Sequence, residues 1–293
     1  MRRRPHNVAL AAMVLVMTGC ASSATPPAAS PRPAPTGLSD PFSGMRQRTE
    51  VVMGTRLTIA VPKDEDAVRR LAESFTIARR WDRVLSGYIP DSELNGLLAS
   101  KEEAPLVSAA LARFLALSQR LCKQTAGAFD ISLGGGCESY ELVGQRFRWG
   151  GARRRLDAGG IGKGIAVDEI IAGLRRSGVE RAFINFGGSS FFGLGGPWRI
   201  GVTSHTSASG PLSVVTLRGQ GLSTSKSQNP RGVAHIIDPR SGRPIRAPRL
   251  ATAEGPSAAI AEALSTALVV SPGSLRRWRG TFPRYELTVH PGR

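Results

Sequence analysis

Asp157-Ala158-Gly159-Gly160-Ile161-Gly162-Lys163-Gly164 runs into Ala166-Val167-Asp168. Glycines before a helix let backbone N–H groups approach an anion, and the helix N-terminus adds partial positive charge. Lys163 adds a full charge. Two familiar loops fail the test. A P-loop needs Gly five residues before its Gly-Lys and Ser or Thr after it. Here those places hold Asp157 and Gly164. A Rossmann fingerprint fails too, since neither Gly160 nor Gly162 starts a complete G-x-G-x-x-G. A tight strand-to-helix turn accounts for the glycines but not for Lys163 beside Asp157. The stretch therefore reads as a phosphate-type loop of another kind, opening a helix over 161–177.

Outward from this loop, helices and strands interleave irregularly. Residues 50–61 alternate around Gly54 and read as strand, turn, strand. Residues 64–85 read as an amphipathic helix with Val68, Leu71, Ala72, Phe75, Ala78 and Trp81 on its apolar face. A second helix is expected over 108–123, with Leu111, Phe114, Leu115 and Leu121 inward. Residues 129–133 read as a short strand or turn. Strands are expected over 182–186, 198–203, 212–218, 234–237 and 285–290, and a further helix over 258–270. This order, with many Gly-rich turns, points to an α+β fold with antiparallel sheet.

Two more clusters carry chemistry. In Val233-Ala234-His235-Ile236-Ile237-Asp238-Pro239-Arg240-Ser241-Gly242-Arg243-Pro244 an apolar strand ends in a Pro/Gly turn. His235 can move a proton near neutral pH, although a lone His is more often structural. In Glu262-Ala263-Leu264-Ser265-Thr266 the carboxylate and the Thr hydroxyl stand at i and i+4, on one helical face. Two such oxygens suit Mg²⁺, which prefers hard ligands and substrate phosphates. Met53-Gly54-Thr55, Tyr88–Asn95, Gly127–Asp130 and Asn185–Gly188 are weaker signals, each explicable alone as turn chemistry.

The N-terminus reads as an address. Arg2–Arg4, the apolar run Val8–Met17 and Met17-Thr18-Gly19-Cys20 resemble a lipoprotein signal, cut before a lipidated Cys20. Residues 1–19 are thus expected as signal peptide and 20–44 as a Pro/Ala/Ser tether. The folded domain is expected over 45–293. An exported protein on a membrane surface, held by lipid rather than by a span, follows. It also permits a disulfide between Cys122 and Cys137, with a buried free thiol equally open. The net charge of +17 invites a nucleic-acid reading. No helix-turn-helix, zinc finger or RNP motif accompanies it, and the Arg residues are scattered, so no nucleic-acid partner is expected.

In this order the segments resemble the ApbE family, the FAD:protein FMN transferases. The matching runs are MGT from Met53, YIPDSEL from Tyr88, AFD from Ala128, LDAGGIGKG from Leu156, INFGG from Ile184, HIIDPRSGRP from His235 and AEALSTAL from Ala261. The resemblance implies a T-fold-like α+β architecture with a mixed, mostly antiparallel sheet and flanking helices. It implies FAD as substrate, with Mg²⁺ on its pyrophosphate. A Thr or Ser hydroxyl of an extracytoplasmic target protein would take FMN, releasing AMP; some relatives hydrolyse FAD instead. Carried over, Met53, Tyr88, Ala128, Phe129, Asp130 and Ile237 would line the flavin or adenosine pocket. Asp157 and Lys163 would flank the cofactor, with Lys163 near phosphate. The Gly160 carbonyl, Glu262, Thr266 and Ser265 would hold the metal. His235 would help remove the target's proton. Members usually have Asp where Glu262 stands, Gly-Gly-Asp where Gly187-Gly188-Ser189 stands, and Gly where Lys226 stands.

Overall fold

The computed structural model describes residues 40–151, 154–203, 210–229 and 231–291. The expected signal peptide, Cys20 and most of the tether lie outside the described residues. In chain order the elements are β1 (Met45–Val52), β2 (Thr55–Pro62), α1 (Ala67–Leu85), α2 (Glu93–Ala99), α3 (Ala109–Gln124), β3 (Tyr140–Val143) and β4 (Arg146–Trp149). Then come α4 (Gly162–Arg176), β5 (Ala182–Phe186), β6 (Ser190–Leu194), β7 (Trp198–Val202), β8 (Ser213–Leu217) and β9 (Gln220–Lys226). The chain finishes with β10 (Ile237–Asp238), β11 (Arg243–Pro244), β12 (Leu250–Gly255), α5 (Ala258–Val270), α6 (Leu275–Thr281) and β13 (Glu286–His290). Among the described residues, seven strands form one sheet in the order β1-β2-β5-β6-β9-β12-β13. Every neighbouring pair in it is antiparallel.

Strand alternation gives this sheet two covered faces. Leu57, Ile59, Ile184, Phe186 and Phe192 point into the main core, under α1, α4 and α5. Ala60, Phe183, Phe191 and Leu222 point the other way, onto the β7–β8 hairpin through Trp198 and Leu217. Phe42 joins this second core, its ring 5.6 Å from both Phe183 and Trp198. Ordered packing therefore starts before the expected boundary at Met45.

Several expectations change in detail. On α1, Val68 is exposed and so is Ala72; Ala67, Leu71, Phe75, Ala78 and Trp81 face inward. The inward stripe starts one residue earlier than read. The strand expected over 234–237 is only the two-residue β10, and Ala234 makes a lone bridge to Gln228. Residues 129–133 form a turn. Cys122 and Cys137 are joined in a disulfide, with Cα atoms 5.5 Å apart. It ties α3 to the segment before β3, where Gln119 also donates to the carbonyls of Cys137 and Tyr140. No single helix among the described residues is long and apolar enough to cross a membrane.

At the far edge of the sheet, Glu254 on β12 stands opposite Glu286 on β13. Its Oε2 is buried without a hydrogen-bond partner. Burial, then Glu286, push its carboxyl above the ordinary 4.5. A raised folded-state pKa means stability is lost as pH rises through it and retained below the unfolded value. Glu254→Gln is therefore expected to stabilise the fold by about 0.5 kcal/mol at pH 7, the scale of a like-charge cross-strand pair. Urea midpoints at neutral pH and below pH 4.5 check this, since the gain must vanish in acid.

Candidate functional site

The glycine loop does hold an anion, but one from its own chain. Helix α4 begins at Gly162, and the N–H of Gly164 donates to Glu262 Oε2 at 2.7 Å. The Lys163 ammonium donates to Glu262 Oε1, which also accepts from Ser190 Oγ at 3.0 Å. Glu262, on α5, is 3% exposed. A buried carboxylate needs such a set of donors, and a helix N-terminus with a lysine supplies it. The close crossing of α4 and α5 makes this reach possible. A Cβ at Gly164 would lie 2.5 Å from the Ala259 Cα, so only glycine lets the helices approach this far.

A second bond set fixes the same crossing. Asp168 on α4 accepts from the backbone N–H groups of Ala258 and Ala259, at 2.7 and 3.1 Å, and from Ser257 Oγ at 2.5 Å. It thus caps the N-terminus of α5, the helix carrying Glu262 and Thr266. Burial pushes the Asp168 carboxyl up, and these hydrogen bonds oppose that shift.

Two cavities of about 680 and 800 Å³ meet over this crossing. Tyr88, Asp157, Lys163 and His235 line both. Ala128, Phe129, Asp130, Gly160, Ile237, Glu262 and Thr266 line the first, and Met53 lines the second. The structure therefore gathers every expected site residue of the described chain except one. Ser265 does not line the cleft. Its hydroxyl is fully buried and bonded to Ser223, Ser225 and the Glu262 carbonyl, so its expected role as a metal ligand gives way to supporting α5 on β9. Lys163, expected near phosphate, lines both cavities and is paired with Glu262.

Several expected site residues hold the cleft's shape as well. Met53 and Gly54 form the two-residue turn of the β1–β2 hairpin, both with positive φ. The Met53 N–H is anchored to Asp82 at 3.0 Å. Asp130 accepts from Ser132 and from the N–H groups of Gly134 and Gly136, which closes its loop. Asp157 accepts from the Gly159 N–H at 2.7 Å. In YIPDSEL, Ser92 caps α2 and Glu93 accepts from both the N–H and the hydroxyl of Ser108, which caps α3. The motif leaves Tyr88, 96% exposed, at the cleft mouth. Sequence reasoning missed Ser190, Ser225 and Lys226 in the site. Ser225 reaches Thr266 at 3.2 Å. Lys226 stood out only as a departure from the family pattern, and the pairing of β6 with β9 under α5 places all three at the site.

The sequence and the fold have counterparts among known proteins. The chain is 26% identical to the FAD:protein FMN transferase of Escherichia coli (strain K12), over 90% of this chain and 86% of that protein. It is 28% identical to the FAD:protein FMN transferase of Rhodobacter capsulatus, over 76% of this chain and 51% of that one. Among solved structures it is similar to the ApbE protein of Thermotoga maritima, with TM-score 0.74 and 20% identity over 84% of this chain and 94% of that one. The flavin transferase ApbE from Vibrio cholerae gives TM-score 0.71 and 20% identity, over 85% and 97% of the two chains. At such identities the structures speak for the fold. The ApbE family profile matches residues 53–279, and on that extent the chain belongs to the ApbE family.

Proposed function

We propose that this protein transfers the FMN part of FAD to a Ser or Thr hydroxyl of a target protein. The observation that carries the reading is the convergence of Lys163, Glu262, Thr266, Gly160 and His235 on one double cleft. Two connected cavities suit a ligand with two large halves and a charged link between them. The acceptor oxygen would attack the FMN phosphorus, the anhydride bond to AMP would break, and the acceptor's proton would pass to His235. His235 is exposed and lines both cavities, which suits a group that must meet an incoming hydroxyl. Tyr88, at the mouth, offers an aromatic face to a ring.

The donor set also fits Mg²⁺. Gly160 and Thr266 are neighbours, since a Cβ on Gly160 would lie 3.7 Å from Thr266 Oγ1. Glu262 is one turn before Thr266 on α5 and lines the same cavity. One carboxylate, one hydroxyl and one carbonyl make a hard but partial set, of the sort completed by substrate phosphates. When bound, the ion would neutralise charge growing on the transferring phosphoryl group. Glu262 must then loosen its hold on Lys163. The sequence signals at Arg2–Arg4 and Cys20 support a lipid-anchored protein acting on the extracytoplasmic face of a bacterial membrane.

The test incubates the purified chain with FAD, Mg²⁺ and a pool of Ser- and Thr-bearing peptides. Equal amounts of AMP and a peptide–FMN phosphoester are expected by mass spectrometry, and EDTA should abolish both. Free FMN in place of the adduct would make the protein an FAD pyrophosphatase. FAD binding with neither product would leave a non-catalytic flavin-binding protein, the reading favoured by the closed Lys163–Glu262 pair. In that case Glu262→Asp, which draws the carboxylate back toward α5, should restore turnover if the metal site has decayed.

A further inference from the structure

We infer that Lys226, and not Lys163, is the cation that meets the phosphates of a ligand in this cleft. The first cavity has three carboxylates on its wall, Asp130, Asp157 and Glu262. Each already accepts from another group: Asp130 from the amides of its loop, Asp157 from the Gly159 N–H, and Glu262 from Lys163. Lys163 and Glu262 cancel, so without a metal that pair presents no net charge to a diphosphate. Lys226 stands on the same wall, at the end of β9, and has no acidic partner among the described residues.

Position and surroundings agree with this role. Ser225, the preceding residue, is bonded to Ser265 and Thr266, which pins the end of β9 beside the hydroxyl expected to hold the metal. On β12, Lys226 pairs in register with Leu250, which offers no charge. Burial pulls its ammonium below the ordinary lysine value, so an anion alongside would restore what burial removes. A half-buried lysine with no paired carboxylate among the described residues, on the wall of a cleft whose other lysine is already paired, is a receptor for an anion. The ligand class is a diphosphate ester; its identity as FAD rests on the function proposed above.

The experiment measures binding of FAD, riboflavin and inorganic pyrophosphate, without added metal, to the full chain, to Lys226→Gln, to Lys226→Arg and to Lys163→Gln. Loss of one charge-assisted contact is expected to weaken FAD and pyrophosphate about tenfold in Lys226→Gln. Lys226→Arg should recover most of that loss. Riboflavin affinity and the urea midpoint should not move. Unchanged FAD affinity, or an equal loss for riboflavin, would overturn the assignment. Pyrophosphate binding that depends on Lys163 but not on Lys226 would also overturn it. A wild-type protein that ignores FAD yet binds pyrophosphate through Lys226 would reject the flavin reading and keep this one. Binding of none of the three probes would reject both.

Discussion

Glu262→Ala is expected to cost about 3 kcal/mol of folding stability and to remove transfer activity, because it strands a buried charge. Lys163 is 20% exposed in its side chain and Glu262 only 5%. The alanine variant leaves the Lys163 ammonium, the Gly164 N–H and the Ser190 hydroxyl without their common acceptor. The partial exposure of Lys163 lets water reach it, which keeps the cost at the lower end for a broken buried pair. Glu262→Gln keeps an acceptor for Gly164 and should lose less. Joining Glu262→Leu with Lys163→Met removes both charges and should recover most of the stability, though none of the activity. Urea unfolding of the three variants checks this. A small loss in Glu262→Ala, equal to that of the double variant, would show that the pair is not coupled in solution.

Gly164→Ala is expected to be about as damaging, near 3 kcal/mol, although it adds a single methyl. The new Cβ would sit 2.5 Å from the Ala259 Cα, and 2.6 Å from both the Ala259 N and the Ala258 O. These are backbone atoms of α5 and cannot swing aside as a side chain can. The helices must separate, which lengthens the Gly164–Glu262 hydrogen bond and disturbs the cap from Asp168 to Ala258 and Ala259. Gly173→Ala, in the interior of the same helix, supplies the control. Its Cβ would meet only side-chain tips, of Ile77 at 3.4 Å and of Arg176 at 3.8 Å. There the better helix propensity of alanine should stabilise by about 0.5–1 kcal/mol. Equal effects at the two positions would mean that the α4–α5 crossing is looser than described.

How much of this could be read from the chain depended on what each residue faces. Helices α3, α4 and α5 were legible, because their apolar stripes or glycine openings are local features. Strands β6, β9 and β12 were not, although they form the middle of the sheet. Their sequences SFFGL, QGLSTSK and LATAEG neither alternate nor favour β-branched residues. The cause is the close seat of α5. A Cβ at Gly221 would lie 2.9 Å from the Ala258 Cα, so small residues are required there whatever their strand propensity. The candidate site was legible as a list of positions through resemblance. Its internal wiring was not. Lys163 and Glu262 are 99 residues apart, and no local pattern states that they pair. The same distance hides the role of Ser265, which shares a motif with Thr266 but lies behind the wall that Thr266 lines.

The seat of α5 has a further consequence, in how the molecule opens. One wall of the cleft is α5 on β9 and β12, buried on nearly every side and capped at both ends, by Asp168 and by Arg249 on the Val269 and Val270 carbonyls. Such a segment exchanges its amide hydrogens only when the whole protein unfolds. The facing wall comes from the segments around Tyr88, Asp130 and His235, of which Tyr88 and His235 are exposed while Asp130 is tied into its own turn. The backbone that carries Glu262 and Thr266 is thus held by the core itself. Tyr88 and His235 at the mouth take no part in that core, so changes in what is admitted can arise there without disturbing the wall behind them.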